Sequence, residues 1–380
     1  MAILHRRLLL IAFMVACATV SSGKGAARAS ERASSKIRIS AAGDGLIQGS
    51  EGRRFKPWGV NYGNHGRLIE DFWETEWGTL EGDFREIKAQ GYNVVRVHLQ
   101  LGKFMTAPDK MDRKSLDRLG KLLKLAEETG LYLDLTGLGC YRKSDVPQWF
   151  DPLTEEERWT VQARFWRSVA ERCAGHPSVF CYDLINEPLS PAGERKAGEW
   201  YSGSTLGGLD FLQYIALDQR GRERPEIARQ WIRRMREAIR KGDRKTLITV
   251  GMLPSTKKWG HFSGFVPGKV APELDFVSVH LYPESGKVDE ALETLKGFAV
   301  GKPVVIEETF PLSCPPADLE QFLLQSRSHA TGWMGHYDGY TAAEYHERRK
   351  AGTLTPAEAV WLSWLELALK LKSSMLGTEA

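Results

Sequence analysis

Short apolar runs alternate with longer amphipathic stretches along most of this chain, from about Ile37 onward. Several of the apolar runs, among them NVVRV, FVSVH and PVVIE, lack the alternation of a half-exposed strand. Strands buried on both faces have this pattern, because helices cover one side and a packed interior covers the other. The pattern therefore predicts an α/β protein with parallel strands.

The alternation predicts eight strands, at 58–62, 94–99, 131–136, 179–185, 247–250, 276–281, 304–307 and 332–335. It predicts helices between them, at 80–90, 114–129, 155–173, 225–241, 289–299, 317–328 and 356–371. Eight strand–helix units indicate a (β/α)8 TIM barrel. The fifth helix is weak, because residues 252–275 are rich in Gly, Pro and Ser. An open doubly wound sheet is the alternative, but the glycines of GVNYGNHG lack the GxGxxG spacing of its phosphate loop.

The ends of the chain predict three segments. Residues 1–23 combine a basic HRR stretch with the apolar run Leu8–Val20 and small residues, which is typical of a signal peptide. Residues 24–36 are small, polar and charged and predict a flexible tether. Residues 37–375 form the barrel domain, which begins with a short hairpin around a Gly-Asp-Gly turn.

The same N-terminal segment predicts where the protein is found. We expect it to be secreted, periplasmic or lipid-anchored at the cell surface, because MVAC resembles a bacterial lipobox ending at Cys17. The apolar run is short for a membrane span, so we expect none in the mature protein. The alternative is a short anchor that is not cleaved.

Composition narrows the class of partner. The chain has 380 residues with 42% hydrophobic and 26% charged, an ordinary globular mixture. Its net charge of +4 is spread without a basic stripe, so nucleic acid is not an expected partner. We expect a monomer. Four cysteines follow Cys17 with spacings that match no zinc motif, and both disulfides and free thiols remain open: Cys140, Cys173, Cys181 and Cys314.

Polar residues stand at the same end of six predicted strands, where a barrel collects its chemistry. They are Asn61 and Tyr62, Arg96 and His98, Asn186 and Glu187, His280 and Tyr282, Glu307 and Glu308, and Trp333, His336 and Tyr337. Strands four and seven face each other across a barrel, which can bring two carboxyl groups within the roughly 5–5.5 Å of a retaining glycosidase. Such a pair needs one protonated acid and one ionised nucleophile, and Arg96 is placed to favour ionisation.

The stretches DLINEP and KPVVIEET, together with GVNYGNHG, GYNVVRVHL and VSVHLYP, resemble the family-five glycoside hydrolases, which include cellulases and β-mannanases. The resemblance implies retaining hydrolysis of β-glycosidic bonds in a β-linked glucan, mannan or derived oligosaccharide, without a cofactor or metal. It makes Glu187 the acid/base and Glu308, which precedes the aromatic position, the nucleophile. Strand alternation leads us to expect that only one of Glu307 and Glu308 faces the sugar.

The resemblance also assigns supporting roles. Asn186 would bind the sugar 2-hydroxyl, and Arg96 would keep the nucleophile ionised. His280 and Tyr282 would line the site and orient the carboxylates. Asn61, His98, Trp333 and His336 are further substrate-binding candidates at the strand ends. His98 has no second metal ligand at a useful spacing.

The chain departs from the family pattern at two positions. Thr136 stands where many relatives carry a His, and His336 stands where relatives carry a sugar-stacking Trp. Trp333 is a candidate replacement for that Trp. Because these changes fall near the cleaved sugar, two alternatives remain open. One is a carbohydrate-binding barrel without catalysis, and the other is a transglycosylase.

Aromatic residues and one long loop bear on the shape of the site. Tryptophans in predicted loops or strand ends are candidates for either sugar platforms or structural plugs: Trp73, Trp77, Trp149, Trp200, Trp259 and Trp333. Tryptophans at helical spacing are expected in the core: Trp159, Trp166, Trp231, Trp361 and Trp364. The loop 190–223 carries Trp200, Tyr201, Phe211 and Tyr214, which predicts either a wall that favours a pocket and exo action or a helical cap without substrate contact.

Overall fold

The computed structural model describes residues 35–203, 205–206, 208–254 and 262–377. The predicted signal peptide, most of the tether, Cys17 and Trp259 lie outside these ranges. Within them, no helix is both long enough and apolar enough to cross a membrane.

Eight parallel strands form a closed barrel, which confirms the (β/α)8 prediction. Strand β8 closes the barrel by pairing with β1, from Trp333 opposite Trp58 to Tyr337 opposite Tyr62. The strands are β1 (Trp58–Tyr62), β2 (Val94–Gln100), β3 (Tyr132–Gly139), β4 (Val179–Asn186), β5 (Leu247–Met252), β6 (Val277–His280), β7 (Val304–Glu308) and β8 (Gly332–Tyr337).

Helices cover the outside of the barrel. The longer ones are α1 (Trp77–Ala89), α2 (Arg113–Thr129), α3 (Glu155–Cys173), α4 (Arg224–Gly242), α5 (Val288–Lys296), α6 (Pro316–Ser326), α7 (Ala342–Lys350) and α8 (Pro356–Leu376). Short helices lie at Leu101–Phe104 and Pro267–Val270, and 3-10 turns at Ile69–Asp71, Lys143–Asp145 and Ala271–Glu273. The weak pattern after β5 thus corresponds to one short helix and a 3-10 turn, whereas α7 was not predicted.

Helix α8 is fixed at its first residues by its sequence. The Thr355 hydroxyl accepts a hydrogen bond from the Glu358 N–H, and the Glu358 carboxylate accepts one from the Thr355 N–H at 2.8 Å. Pro356 occupies the first helical turn, where its missing N–H costs nothing. This capping box sets the start of α8 and thereby the position of Trp361 in its second turn.

The N-terminal end of the barrel is closed by an apolar floor. Strands at Ile37–Ile39, Leu46–Gln48 and Arg53–Phe55 form a small antiparallel sheet, so the predicted hairpin is a three-stranded unit. Ile37, Leu46 and Phe55 pack against the lowest inward residues of the barrel, which are Val94, Tyr132, Phe180, Cys181, Leu247, Phe276, Val305 and Met334. Polar side chains of the interior therefore lie at the opposite, C-terminal end.

The loop after β4 is built from short strands. Pro188–Leu189 pairs with Gln213–Tyr214, and Thr205–Leu206 pairs with Leu209–Asp210. Its described residues 190–203, 205–206 and 208–223 contain no helix, which argues against the helical-cap alternative. Trp200 is buried, and its indole N–H donates to the Asp151 carbonyl at 3.0 Å. The four cysteines within the described residues are buried free thiols.

Candidate active site

A cavity of about 340 Å³ opens at the C-terminal end of the barrel. Most of the polar residues singled out from the sequence line it: Asn61, Tyr62, His98, Asn186, Glu187, Tyr282, Glu308, His336 and Tyr337. Arg96 and His280 are fully buried and in hydrogen-bond contact with these residues. The strand ends therefore bring the predicted polar residues into one site.

Arg96, inside the barrel, connects the ends of four strands through hydrogen bonds. Its Nη1 donates to Glu308 Oε1 at 2.5 Å and to Asn61 Oδ1 at 2.7 Å. Its Nη2 donates to Asp183 Oδ2 at 2.7 Å and to Asn186 Oδ1 at 3.0 Å. Because β2 carries Arg96 and its partners lie on β1, β4 and β7, one guanidinium fixes the relative positions of the candidate groups.

Glu308 is held as a carboxylate. Arg96 donates to one of its oxygens, and the Tyr282 hydroxyl donates to the other, Oε2, at 2.7 Å. Burial by itself would raise the pKa of Glu308, but His280 and Arg96 outweigh burial and keep this pKa well below its ordinary value. Glu308 is therefore ionised at neutral pH, as a nucleophile must be.

Glu187 occupies a strained turn at the end of β4. Its backbone has a φ of 45°, and its N–H donates to the Gly251 carbonyl at 2.9 Å. A side chain at Gly251 would place its Cβ 2.7 Å from His280 Nε2 and 2.9 Å from Arg96 Nη2, so only glycine fits there. Backbone strain of this kind is concentrated at functional sites. The positive-φ conformation directs the Glu187 side chain into the cavity.

His280 lies between the two candidate carboxylates. Its Nδ1 is 3.0 Å from Glu187 Oε1 and 3.5 Å from Glu308 Oε2. One oxygen of each glutamate lies within 4.8 Å of the other. Burial opposes the charge of His280, but Glu308, Glu187 and Glu307 together raise its pKa to about 10. The imidazole is therefore a cation at neutral pH, shared by both carboxylates.

Two further histidines in the cavity are neutral. Burial and the nearby Arg96 hold the pKa of His98 well below its ordinary value, and its Nδ1 is 2.7 Å from the Tyr141 hydroxyl. Burial lowers the pKa of His336 to about 4. Since the Tyr282 hydroxyl gives its proton to Glu308, the His336 Nε2 at 3.0 Å from that hydroxyl must be the donor.

Trp333 does not reach the cavity, which corrects its prediction as a substrate-binding residue. It is buried, and its indole N–H donates to Ser326 Oγ of α6 at 2.8 Å. Residues three apart in a strand point to opposite faces, so β8 cannot turn both Trp333 and His336 inward. Trp361 lines the cavity instead, with its ring 4.7 Å from Phe310. Its helical spacing predicted a core position, and the half-buried ring does pack against the core, but it also faces the cavity.

Glu307 departs from the expected alternation. Glu308 lines the cavity and Glu307 does not, yet both side chains point into the barrel. Regular alternation turns Glu307 inward together with Val305, and a register shift between β6 and β7 after Val279 turns Glu308 inward as well. Glu307 is fully buried and accepts a hydrogen bond from Ser278 Oγ at 3.0 Å.

The loop after β4 forms one wall of the cavity. Leu209 and Phe211 line it, and the Phe211 carbonyl accepts a long hydrogen bond of 3.4 Å from Asn186 Nδ2. The Phe211 ring packs 5.0 Å from Tyr141, the residue that contacts His98. None of the described loop tryptophans named from the sequence lines the cavity: Trp73, Trp77, Trp149, Trp200 and Trp333.

Two acidic clusters among the described residues are close enough to share a cation. One is Glu187, His280 and Glu308, and the other is Asp134, Asp183 and Glu307 directly beneath. A side-chain cation already lies against the carboxylates of each cluster, His280 in the upper one and Arg96 in the lower one. Sequence reasoning missed Asp134 and Asp183, although each is a single acid inside an otherwise apolar strand.

The family model described as Cellulase (glycosyl hydrolase family 5) matches residues 54–309. A segment of 138 residues is 29% identical to mannan endo-1,4-β-mannosidase 2 of Arabidopsis thaliana, and it spans 33% of this chain and 25% of that protein.

Solved structures with a similar fold include an exo-β-1,4-mannosidase and a β-mannanase. The exo-β-1,4-mannosidase Op5Man5 from Opitutaceae bacterium strain TAV5 aligns with a TM-score of 0.64 and 18% identity, over 89% of this chain and 62% of that one. The β-mannanase of the blue mussel Mytilus edulis aligns with a TM-score of 0.61 and 17% identity, over 90% and 97%. At these identities the two structures bear on the fold alone.

Proposed function

The chain belongs to glycosyl hydrolase family 5, and from this premise we propose that it hydrolyses β-glycosidic bonds of a β-linked mannan or glucan, or of oligosaccharides derived from them, with retention of configuration. The observation that carries the proposal is the approach of Glu187 and Glu308, whose carboxylate oxygens come within 4.8 Å. Retaining enzymes place the two carboxyl groups about 5–5.5 Å apart, whereas inverting enzymes need roughly 6.5–9.5 Å to admit a water molecule.

In the first step Glu308 attacks the anomeric carbon of the sugar. The bond to the leaving oxygen breaks, that oxygen takes the proton of Glu187, and an ester between the sugar and Glu308 forms. Arg96 and Tyr282 each bind one oxygen of Glu308, so its carboxylate is oriented before the substrate arrives. Preorganisation of this kind lowers the barrier, because no solvent has to be reorganised during the reaction.

In the second step water cleaves the ester. Glu187, now ionised, takes a proton from the water, the oxygen of the water bonds to the anomeric carbon, and Glu308 leaves as a carboxylate. The cationic His280 contacts both glutamates and stabilises whichever of them carries negative charge. Asn186 accepts from Arg96 through its oxygen and donates one Nδ2 hydrogen to the Phe211 carbonyl, which leaves the second Nδ2 hydrogen to donate to the sugar 2-hydroxyl.

The walls of the cavity support action on a chain end or a short oligosaccharide. Leu209 and Phe211 close one side, while Trp361 and Leu312 line another part of the same cavity. Its volume of about 340 Å³ lies at the lower end of the range for small-ligand pockets, about 300–1,000 Å³. Trp361 offers an aromatic face for a sugar ring. The segment similar to a mannan endo-1,4-β-mannosidase makes a β-mannoside the first substrate to test.

A screen of purified protein tests the proposal. Aryl β-mannosides and β-glucosides, β-manno-oligosaccharides, mannan and β-glucan are each assayed for reducing ends and for the size of the first products. We expect turnover of at least one β-linked substrate, with monosaccharide or disaccharide released first, and its loss in Glu187→Ala and Glu308→Ala. Binding without turnover in the wild type would support the inactive carbohydrate-binding barrel instead.

The same assay addresses transglycosylation. With an excess of acceptor sugar, a hydrolase of the proposed kind yields mainly the free sugar, whereas a transglycosylase yields the elongated product. The covalent ester is common to both reactions, so the outcome depends on whether water or a sugar reaches it. A dominant elongated product would replace hydrolysis by transfer in the proposed function.

Export and lipid anchoring are part of the proposal for the whole protein. A polymeric substrate outside the cell fits the predicted signal peptide, and Cys17 is the predicted lipid site. Mass spectrometry of the mature protein from its host tests both, since cleavage near residue 23 and a lipid on Cys17 give different N-terminal masses. An intact N-terminus in the soluble cell fraction would contradict both forms of export.

A further inference from the structure

A second group of acids lies beneath the candidate catalytic pair, sealed from solvent. Asp134 on β3, Asp183 on β4 and Glu307 on β7 are fully buried, and one oxygen of each lies within 4.8 Å of the others. We call these three residues the lower carboxylate cluster. The catalytic mechanism proposed above uses none of them directly, so their presence inside the barrel needs its own explanation.

Two members of the lower carboxylate cluster have partners for a negative charge. Asp183 accepts from Arg96 Nη2 at 2.7 Å, from Thr136 Oγ1 at 2.9 Å and from the Gly251 N–H at 2.7 Å. Glu307 accepts from Ser278 and lies 3.8 Å from Arg96 Nε and 3.5 Å from His280 Nε2. Burial would raise the pKa of Glu307, but Arg96 and His280 outweigh burial and hold this pKa below its ordinary value. Burial raises the pKa of Asp183 to about 6, so both are carboxylates at pH 7.

Asp134 has no such partner. Neither of its oxygens has a hydrogen-bond partner among the described residues, and Glu307 Oε2 is likewise unsatisfied. The charged or titratable groups that face Asp134 are Arg96 on β2, Cys181 and Asp183 on β4, and Glu307 on β7. Among the described residues the only donor directed at Asp134 is the weak thiol of Cys181, and a buried carboxylate so poorly partnered, beside two other carboxylates, costs several kcal/mol.

The charges around the lower carboxylate cluster also favour a protonated acid within it. Arg96 and His280 supply two positive charges, and Asp183, Glu307 and Glu308 already supply three negative ones. The two Nη groups of Arg96 donate to Asp183, Glu308 and two asparagines, and its remaining donor, Nε, is directed at Glu307 at 3.8 Å and not at Asp134. Arg96 Nε and His280 Nε2, unpartnered among the described residues, face Glu307 Oε2 at 3.8 and 3.5 Å, whereas only a shared proton also gives Asp134 a partner.

We propose that Asp134 is a neutral carboxylic acid at neutral pH, that it donates its proton to Glu307, and that this hydrogen bond positions Arg96 and His280 beneath Glu308. An ionised Asp134 would compete with Glu308 for Arg96 and pull the guanidinium downward. Burial and the charges of Glu307 and Asp183 agree with the neutral form, because they raise the pKa of Asp134 well above its ordinary value. Asp134 is a positioning residue, since it acts through Glu307.

Infrared spectroscopy on the wild type tests the proton itself. A buried neutral carboxylic acid has a C=O stretch separate from that of a carboxylate, and the band shifts in D2O. We expect such a band at pH 7 and its loss in Asp134→Asn, which keeps the shape and a donor. A wild-type spectrum in which Asp134→Asn removes no such band would overturn the proposal. This readout does not depend on any glycosidase activity.

The pH dependence of stability gives a second readout. Below the ordinary aspartate pKa of about 3.9 the folded and unfolded chains both carry the proton, whereas above it only the folded chain does. Asp134 therefore costs stability as pH rises, and Asp134→Asn does not. We expect the Tm difference, variant minus wild type, to increase between pH 4 and pH 8. A difference that falls with pH would show an ionised Asp134 and contradict the proposal.

Activity then tests the positioning role, which rests on the proposed function. Asp134→Asn should keep kcat within about threefold of wild type, while Asp134→Ala should lose on the order of 10²-fold in kcat with KM little changed, as expected for a displaced catalytic group. Equal losses in both variants would remove the positioning role. Stoichiometric metal in the purified protein, released together with activity by a chelator, would replace the proton by a cation and also overturn the proposal.

Discussion

Two sets of acids lie one above the other in this barrel, and their surroundings separate them. Glu187 and Glu308 line an open cavity, whereas Asp134, Asp183 and Glu307 are sealed beneath it. Both sets contact the same two cations, Arg96 and His280. Under the proposed mechanism, access to substrate and not the mere presence of a carboxylate decides which acid reacts, and the sealed acids keep the two cations in position.

The largest effect is expected from replacing, one at a time, the two adjacent glutamates of β7. Glu308→Gln removes the proposed nucleophile and should lower kcat/KM by about 10⁴-fold or more, comparable with the loss of an essential catalytic group. Glu307→Gln keeps the shape and the hydrogen bond from Ser278 and should lose about tenfold. Kinetics on an aryl β-mannoside measure both, and Glu51→Ala on the exposed N-terminal turn is the control. A larger loss in Glu307→Gln than in Glu308→Gln would reverse the two roles.

A smaller loss is expected where the two sets meet, at Gly251. A methyl group there would press on His280 and Arg96, so Gly251→Ala should lower kcat by about 10²-fold and destabilise the protein by about 1–3 kcal/mol. The matched control is Gly268→Ala, because a Cβ at Gly268 meets no atom within 4 Å. Denaturation and kinetics are measured on both. Unchanged kinetics in Gly251→Ala would show that the cations tolerate displacement.

Substitution of Trp361, which lines the cavity, should weaken substrate binding and leave the chemical step unchanged. Trp361→Ala removes the aromatic face near the sugar and should raise KM by about tenfold with kcat little changed, the pattern of lost uniform binding. Trp333→Phe, which alters an indole hydrogen bond to Ser326 outside the site, should leave KM unchanged. If Trp333→Phe raised KM and Trp361→Ala did not, the assignment of the stacking residue would be wrong.

The smallest effect concerns the pH dependence of stability through His280. Its pKa is raised to about 10 in the folded protein, from an ordinary value near 6.5. The stability that its charge contributes is fully present below about pH 6.5 and is lost as pH rises through about 10. The Tm difference between wild type and His280→Gln should therefore narrow between pH 7 and pH 10. A constant difference would indicate a neutral His280.

The fold, and the meeting of Glu187 and Glu308 in one cavity, could be predicted from local patterns. Strands buried on both faces leave an apolar run whatever surrounds them, and Glu187 and Glu308 stand at the ends of such runs. The same reasoning applies to two buried acids that the sequence interpretation overlooked. Asp134 and Asp183 each interrupt an apolar strand, and an acid in a fully buried strand is as informative as one at its end, because burial without a partner is costly.

Other parts of the site depend on geometry that no local pattern carries. A register shift between β6 and β7 turns Glu307 and Glu308 to the same side, against simple alternation. The start of α8 decides that Trp361 reaches the cavity, although its spacing matches a core helix. The wall formed by Leu209 and Phe211 depends on pairing between Pro188–Leu189 and Gln213–Tyr214, which are far apart in a loop.

The most direct test of the proposed mechanism is the configuration of the first product. Proton NMR follows the anomeric signals of a cleaved β-glycoside before mutarotation scrambles them. With Glu187 and Glu308 as close as the structure places them, the first product should be the β-anomer. An α-anomer formed first would contradict double displacement and with it the roles assigned to the two acids.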